Sequence, residues 1–124
     1  MQDGVVAAAL EVVLIAEVKP LLDRAEANAS PFSPEELTYA RAKRDPERRL
    51  AARLAAKRAA AGLLGRGFDL GDAEVRRGSV GPPRLVLSPR ARRRLAELGA
   101  ERVLVSLTHG REYAAAAVLF LSPR

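Results

Sequence analysis

The chain has 124 residues, of which 48% are hydrophobic and none is cysteine. That length supports one domain with its own core, and the absence of thiols excludes a disulfide framework and thiolate metal centres. The formal net charge of +6 suits a phosphate-bearing or acidic partner.

The charge is unevenly spread. Residues 1–40 hold two Lys/Arg against seven Asp/Glu, residues 41–68 nine against two, and residues 69–124 ten against six. A solvated helix face is the plain account of such a basic middle run; steering of anions is the functional one.

Val5 to Ile15 is apolar and β-branched, which predicts a buried strand, although Leu10, Val13 and Leu14 also suit a helical period. Glu11 and Glu17 interrupt the apolar stretch, no basic segment precedes it, and it is too short to span a bilayer. It therefore reads as core, and the expectation is a cytoplasmic protein with no membrane association. Pro20 fits the first turn of a helix running to about Ala27, followed by a loop from Asn28 to Phe32. Ser33-Pro34-Glu35-Glu36 predicts a helix start with a capping box, and that helix is expected to run to Arg44.

Asp45-Pro46 predicts the next start, with Asp45 as cap. Leu50 and Leu54 share one face of this helix; Arg49, Arg53 and Lys57 share another. Gly65-Arg66-Gly67 stops it. Ala73 to Arg77 and Arg84 to Leu87 are short strand candidates flanking a turn from Gly78 to Pro83, and Ser88-Pro89 caps a helix to Leu98. Arg102 to Leu107 alternates, with Val103, Val105 and Leu107 on one face, and Thr108 to Arg111 is a loop. Tyr113 to Leu121 returns as an apolar strand, predicting an antiparallel hairpin. Helices and hairpins in this order make a single α+β domain over residues 1–124.

Three groups carry candidate chemistry. Arg53-Leu54-Ala55-Ala56-Lys57, followed by Gly65-Arg66-Gly67, combines small residues with cations that bind phosphate through charge-assisted hydrogen bonds. Ser106, Thr108, His109 and Arg111 gather around one turn; His109 is the only histidine, which excludes a His-rich metal site. Glu11 on the first strand is either solvated or, if buried, in need of a partner.

Taken in order, these stretches resemble the holo-acyl-carrier-protein synthase branch of the 4′-phosphopantetheinyl transferases, roughly over residues 5–121. Phe32-Ser33-Pro34-Glu35-Glu36-Leu37 is similar to that family's F(S/T)xxEL, Arg53 to Lys57 to its RFAAKEA, and Gly65-Arg66-Gly67 to its GTG. Gly81-Pro82-Pro83 is similar to NGxP, and Val105 to His109 to the VS(L/I)(S/T)H before a (R/K)EYA stretch, here Arg111 to Ala114. The resemblance implies an antiparallel sheet packed with helices, a homotrimer with the site between subunits, and transfer of phosphopantetheine from coenzyme A to a serine of an apo acyl carrier protein. It implies a cofactor site using Arg53, Lys57, Gly65, Gly67, Pro83 and His109, and an acidic carrier docked on the helix after the first strand. That helix offers only Lys19 and Arg24 against Glu17, Asp23 and Glu26, so Arg41, Lys43 and Arg44 are the alternative basic surface.

The resemblance also implies Mg²⁺ on the pyrophosphate, held by a first-strand Asp and by the Glu after the AAK lysine. Here the residue after Lys57 is Arg58, the first-strand position falls on Glu11 or on Ala9, a lysine one turn on is Gly62, and the NGxP asparagine is Val80. At ~4 Å and an effective dielectric near ~20, like charges repel by several kcal/mol, and twice that for a divalent ion. Ordinary magnesium binding is therefore not expected. One expectation is that Arg58 takes the metal's place and, if Glu11 faces the site, pairs with it, in a protein that binds coenzyme A or a carrier without transfer, or acts on a carrier-bound substrate. A second is an active transferase in which Arg58 bridges the pyrophosphate, Lys57 stabilises charge, and Glu11 or water deprotonates the serine. A third, a nucleic-acid-binding module, has only five aromatics and no RNA-binding signature in its favour.

Overall fold

The structure, a computed structural model, describes residues 4–23, 30–77 and 80–124. Val5–Leu14 forms strand β1, so period two prevails over the helical reading of the same residues. Its partner decides this. β1 pairs antiparallel with β5 (Tyr113–Leu121), from Val5 opposite Leu121 to Leu14 opposite Tyr113. β5 pairs in turn with β4 (Arg102–His109), giving the order β1-β5-β4. The β4–β5 hairpin forms as expected and runs further, since Thr108 and His109 pair with Ala115 and Ala114 rather than opening the loop.

Only one face of this sheet meets the core. Val13, Ala114, Ala116, Val118 and Phe120 are buried, and Val103, Val105 and Leu107 pack against them. The other face corrects the expectation of a buried first strand: Leu10 is 69% exposed, Val12 55% and Leu104 52%.

After β1 a 3₁₀ turn, Ile15–Glu17, leads into α1, Val18–Asp23, with Pro20 in its first turn. The expected continuation to Ala27, residues 28–29 of the next loop, and Gly78 and Ser79 lie outside the described residues. α2, Pro34–Arg41, has the predicted capping box: Glu36 N–H donates to Ser33 Oγ at 3.1 Å and Ser33 N–H to Glu36 Oε1 at 2.9 Å. It ends about a turn before the expected Arg44, with Ala42 as its C-cap, and Pro46 disfavours helical backbone at Asp45 before the next helix starts.

That next helix is α3, Pro46–Leu64. Asp45 precedes it without capping an N–H; its carboxylate meets Arg49 at 3.4 Å instead. Every residue from Leu50 to Lys57 is buried, so α3 has no solvated face along those two turns. The sheet covers one side, and α2 with β2 covers another. Alanines at 51, 52, 55, 56, 59 and 60 let these neighbours approach the helix closely, while Leu50, Leu54 and Leu64 each contribute about 1.5–3 kcal/mol by burial. The Arg49–Arg53–Lys57 stripe is thus no solvated charge face: Arg53 is 3% exposed and Lys57 2%.

β2, Ala73–Arg76, and β3, Arg84–Leu87, form a separate antiparallel pair, and α4, Pro89–Glu97, follows with Ser88 as its cap. Among the described residues no helix is long and apolar enough to cross a membrane. The junction of β2 with α4 is electrostatic. Asp72 accepts from Ser88 Oγ at 2.7 Å and from Arg90 Nε at 2.8 Å. Burial raises the Asp72 carboxyl, but hydrogen bonds from Arg90, the Asp69 N–H and Ser88, with the Arg90 charge, outweigh it and hold the group at about 2.

An unfolded Asp titrates near ~3.9. Because the folded value is the lower one, the stabilisation is complete above about pH 5 and is lost as pH falls through about 2, roughly 2–3 kcal/mol in all. Thermal melts of wild type and Asp72→Asn should show wild type losing this margin on acidification. The variant, already less stable at neutral pH, should fall less steeply over the same window.

Candidate active site

Arg53 leaves α3 toward the end of β4, and there it borders a cavity of about 100 Å³ shared with Tyr39, Arg49, Arg77, Leu107 and His109. A water occupies about 30 Å³ of liquid, so the space holds a few waters or one small anion. The Arg53 guanidinium stacks on Tyr39 at 4.1 Å from the ring centroid, and its buried Nε has no hydrogen-bond partner. Burial pushes Arg53 below its ordinary value, Tyr39 and Glu36 oppose that, and Arg77 adds repulsion. A desolvated guanidinium with a free N–H, among further cations, is a site short of an anion.

Lys57, one turn on, faces different surroundings. Its ammonium donates to Glu36 Oε1 at 2.7 Å, and Glu36 Oε2 accepts the Val75 N–H at 2.9 Å. Lys57 also lines a larger cleft, about 460 Å³, with Ser33, Glu74, Arg76 and Ser88. The structure thus brings Arg53 and His109 to one cavity and turns Lys57 to another.

Glu11 and Ala9 both lie half-buried on the inward face of β1. The expected pair of Arg58 with Glu11 does not form; the Arg58 Nη1 meets Glu17 Oε1 at 3.5 Å instead, where both side chains are more than a third exposed. The reason is location, since Glu17 sits in the 3₁₀ turn past the end of β1. An exposed pair of this kind contributes about 0–1 kcal/mol. Among the described residues no three His, Cys, Asp or Glu side chains come together to hold a metal. Position 58 supplies a cation that already engages a carboxylate, so the donor set does not fit a magnesium held by two carboxylates.

Gly65 and Gly67 adopt φ values of 99° and 93°, which only glycine takes without strain. They form the turn after α3. Pro83 lies half-buried in the β2–β3 connection and lines neither cavity.

No protein-family model matches the chain. Individual proteins do. A holo-[acyl-carrier-protein] synthase of Moorella thermoacetica is 43% identical over 91 residues, 71% of each chain. One of an Anaeromyxobacter species is 39% identical over 117 residues, covering 89% of this chain and 91% of its own. The chain belongs to the holo-acyl-carrier-protein synthase family. The fold agrees: the Helicobacter pylori synthase, solved in complex with coenzyme A, superposes with a TM-score of 0.75 over 92% of this chain and 99% of its own, at 19% identity.

Within this synthase fold, three residues of the Arg53 cavity escaped the sequence reading as site residues. Arg49 carried a signal, its spacing of four from Arg53. Tyr39 and Arg77 carried none, because α2 and the end of β2 reach the cavity only through tertiary packing.

Removing the Lys57 ammonium leaves the Glu36 carboxylate buried and unpaired. Urea unfolding of Lys57→Met should show a loss of about 3–5 kcal/mol, with part of it restored in Glu36→Gln/Lys57→Met. Equal stability of Lys57→Met and wild type would remove the structural role given to this pair.

Proposed function

We propose that this protein transfers phosphopantetheine from coenzyme A to a serine of an apo acyl carrier protein. The observation that carries the reading is the buried Arg53 with its unpaired Nε, facing a cavity with Arg49, Arg77 and His109. Four potentially cationic side chains around a space of that size suit a phosphate group, and coenzyme A presents one on its ribose. The Gly65–Gly67 turn, with Gly65 and Gly67 in left-handed backbone, borders the rest of the phosphate path.

In the transfer, the serine oxygen attacks the phosphorus that carries pantetheine. The bond to the bridging pyrophosphate oxygen breaks, and adenosine 3′,5′-bisphosphate leaves with the electron pair. Glu11, or a water it holds, takes the serine proton. Arg58 supplies positive charge to the pyrophosphate at the place where the family resemblance puts magnesium, and Glu17 holds that guanidinium between turnovers. Lys57, buried and engaged with Glu36, supports the site by fixing α3.

The apolar outer face of the sheet, with Leu10, Val12, Leu14 and Leu104 exposed, is the surface by which copies associate, as a homotrimer. The acidic carrier docks on Arg41, Lys43 and Arg44, all exposed at and just past the end of α2.

A second reading, coenzyme A or carrier binding without transfer, is favoured by the same Arg58–Glu17 pair. Intact-mass spectrometry of apo carrier proteins incubated with coenzyme A separates the two. Added phosphopantetheine mass is the expected result, and persistence of the reaction in chelator is expected with it; no added mass across several carriers, alongside measurable coenzyme A binding, leaves the second reading. Arg53→Met should weaken coenzyme A by about tenfold or more, the loss of one charge-assisted contact of about 1.5–3 kcal/mol, as read by calorimetry. Leu104→Arg should shift the sedimenting species toward monomer.

A further inference from the structure

The end of α3 is an unfavourable place for a phosphate. A helix terminates in unpaired carbonyls that carry about half a negative charge, and α3 delivers that pole directly to the Gly65–Gly67 turn. Two arginines of α4, four residues apart, meet this pole. Arg94 Nε donates to the Leu64 carbonyl at 2.9 Å, and Arg90 Nη2 donates to the Gly67 carbonyl at 2.7 Å. The two bonds bracket the turn, one on the residue just before it and one on its last residue.

Both guanidiniums are themselves held. Arg90 is fixed by Asp72 and stacks on Phe68, with its guanidinium carbon 4.7 Å from the ring centroid. Asp72 in turn binds the hydroxyl of Ser88, which caps α4 by accepting the Ala91 N–H at 3.2 Å. Arg94 reaches Glu97 at 3.3 Å through its other arm, and its Nη2 lies 3.7 Å from where a Gly65 side chain would begin. The guanidinium therefore sits against the glycine itself, and the chain Asp72–Arg90–Gly67 ties turn geometry to the start of α4.

We propose that Arg90 and Arg94 are positioning residues for coenzyme A: they neutralise the negative end of α3 and clamp the Gly65–Gly67 turn so that an anionic ligand can lie against it. The proposal rests on the reading that this turn borders the coenzyme A phosphates. Neither arginine need touch the ligand. Their effect passes through the Leu64 and Gly67 carbonyls, and it is specific to the ligand's charge.

Arg94 is the cleaner probe, because it does not touch Asp72. Arg94→Gln keeps hydrogen-bonding capacity toward the Leu64 carbonyl and discards the charge; Arg94→Lys keeps the charge. Calorimetric titration of coenzyme A into wild type and both variants, with thermal melts of each, reads the result. Arg94→Gln should bind about fivefold more weakly, with Arg94→Lys close to wild type and the KM for the carrier unchanged in both. Wild-type affinity in Arg94→Gln overturns the proposal. So does an equal loss of affinity in both variants that tracks an equal drop in melting temperature, which marks a purely structural role. A wild-type protein that binds no coenzyme A removes the transferase reading, and this inference with it; binding that is intact in all three proteins removes this inference alone.

Discussion

Glu36 is 1% exposed and carries a full complement of donors from three parts of the chain. The Ser33 N–H closes the α2 cap, the Lys57 ammonium arrives from α3, and the Val75 N–H arrives from β2. A buried carboxylate is tolerated only when its lone pairs are taken up in this way. The pair is not a large net source of stability, since desolvating two charges offsets most of their attraction. What it contributes is register. A slip of α3 by one residue would put Ala56 in one direction, or the bulkier Arg58 in the other, where the Lys57 ammonium fits, so α3 is held in the rotation that sends Arg53 to the cavity of His109 and Arg58 to Glu17.

Much of this was legible in the sequence because it is local. Pro34 after Ser33, with Glu36 at the third helical position, is a capping signature that works through neighbouring backbone atoms, and it formed as read. The β4–β5 hairpin was legible from alternation. The Asp45 cap was not, because Arg48 and Arg49 compete for the same carboxylate and win. The end of α2 was misjudged as well, with the C-cap falling at Ala42. β1 shows the limit of hydrophobicity as a guide: its residues are apolar on both faces, yet the chain by itself covers only one.

The site was less legible than the fold. Arg53 and His109 were picked out by chemistry and order, and they do share a cavity. Tyr39 and Arg77 join them through packing between elements far apart in sequence, which no spacing encodes. Lys57 illustrates the converse. Its spacing from Arg53 suggests a shared ligand, but one helical turn of rise is enough to place it in another cleft with its own counter-ion.

The charge pattern around α3 unifies these particulars. Along the helix, Arg53 is buried beside a cavity, Lys57 is buried beside a carboxylate, and Arg58 is half-exposed beside another. Only the first lacks an anion. At the far end of the same helix the exposed carbonyls form a negative pole, and Arg90 and Arg94 cover it from α4. On the proposed reading, an anionic ligand reaching from the Arg53 cavity to the Gly65–Gly67 turn finds an unpaired guanidinium N–H at one end and a neutralised helix pole at the other. The Arg58–Glu17 pair differs from the buried Lys57–Glu36 pair in being exposed. Because that pair is exposed and weak, the proposed engagement of Arg58 with a pyrophosphate would cost little in lost pairing with Glu17. An arginine in that proposed role would differ from a metal seated between carboxylates, because its charge does not depend on the free concentration of an ion.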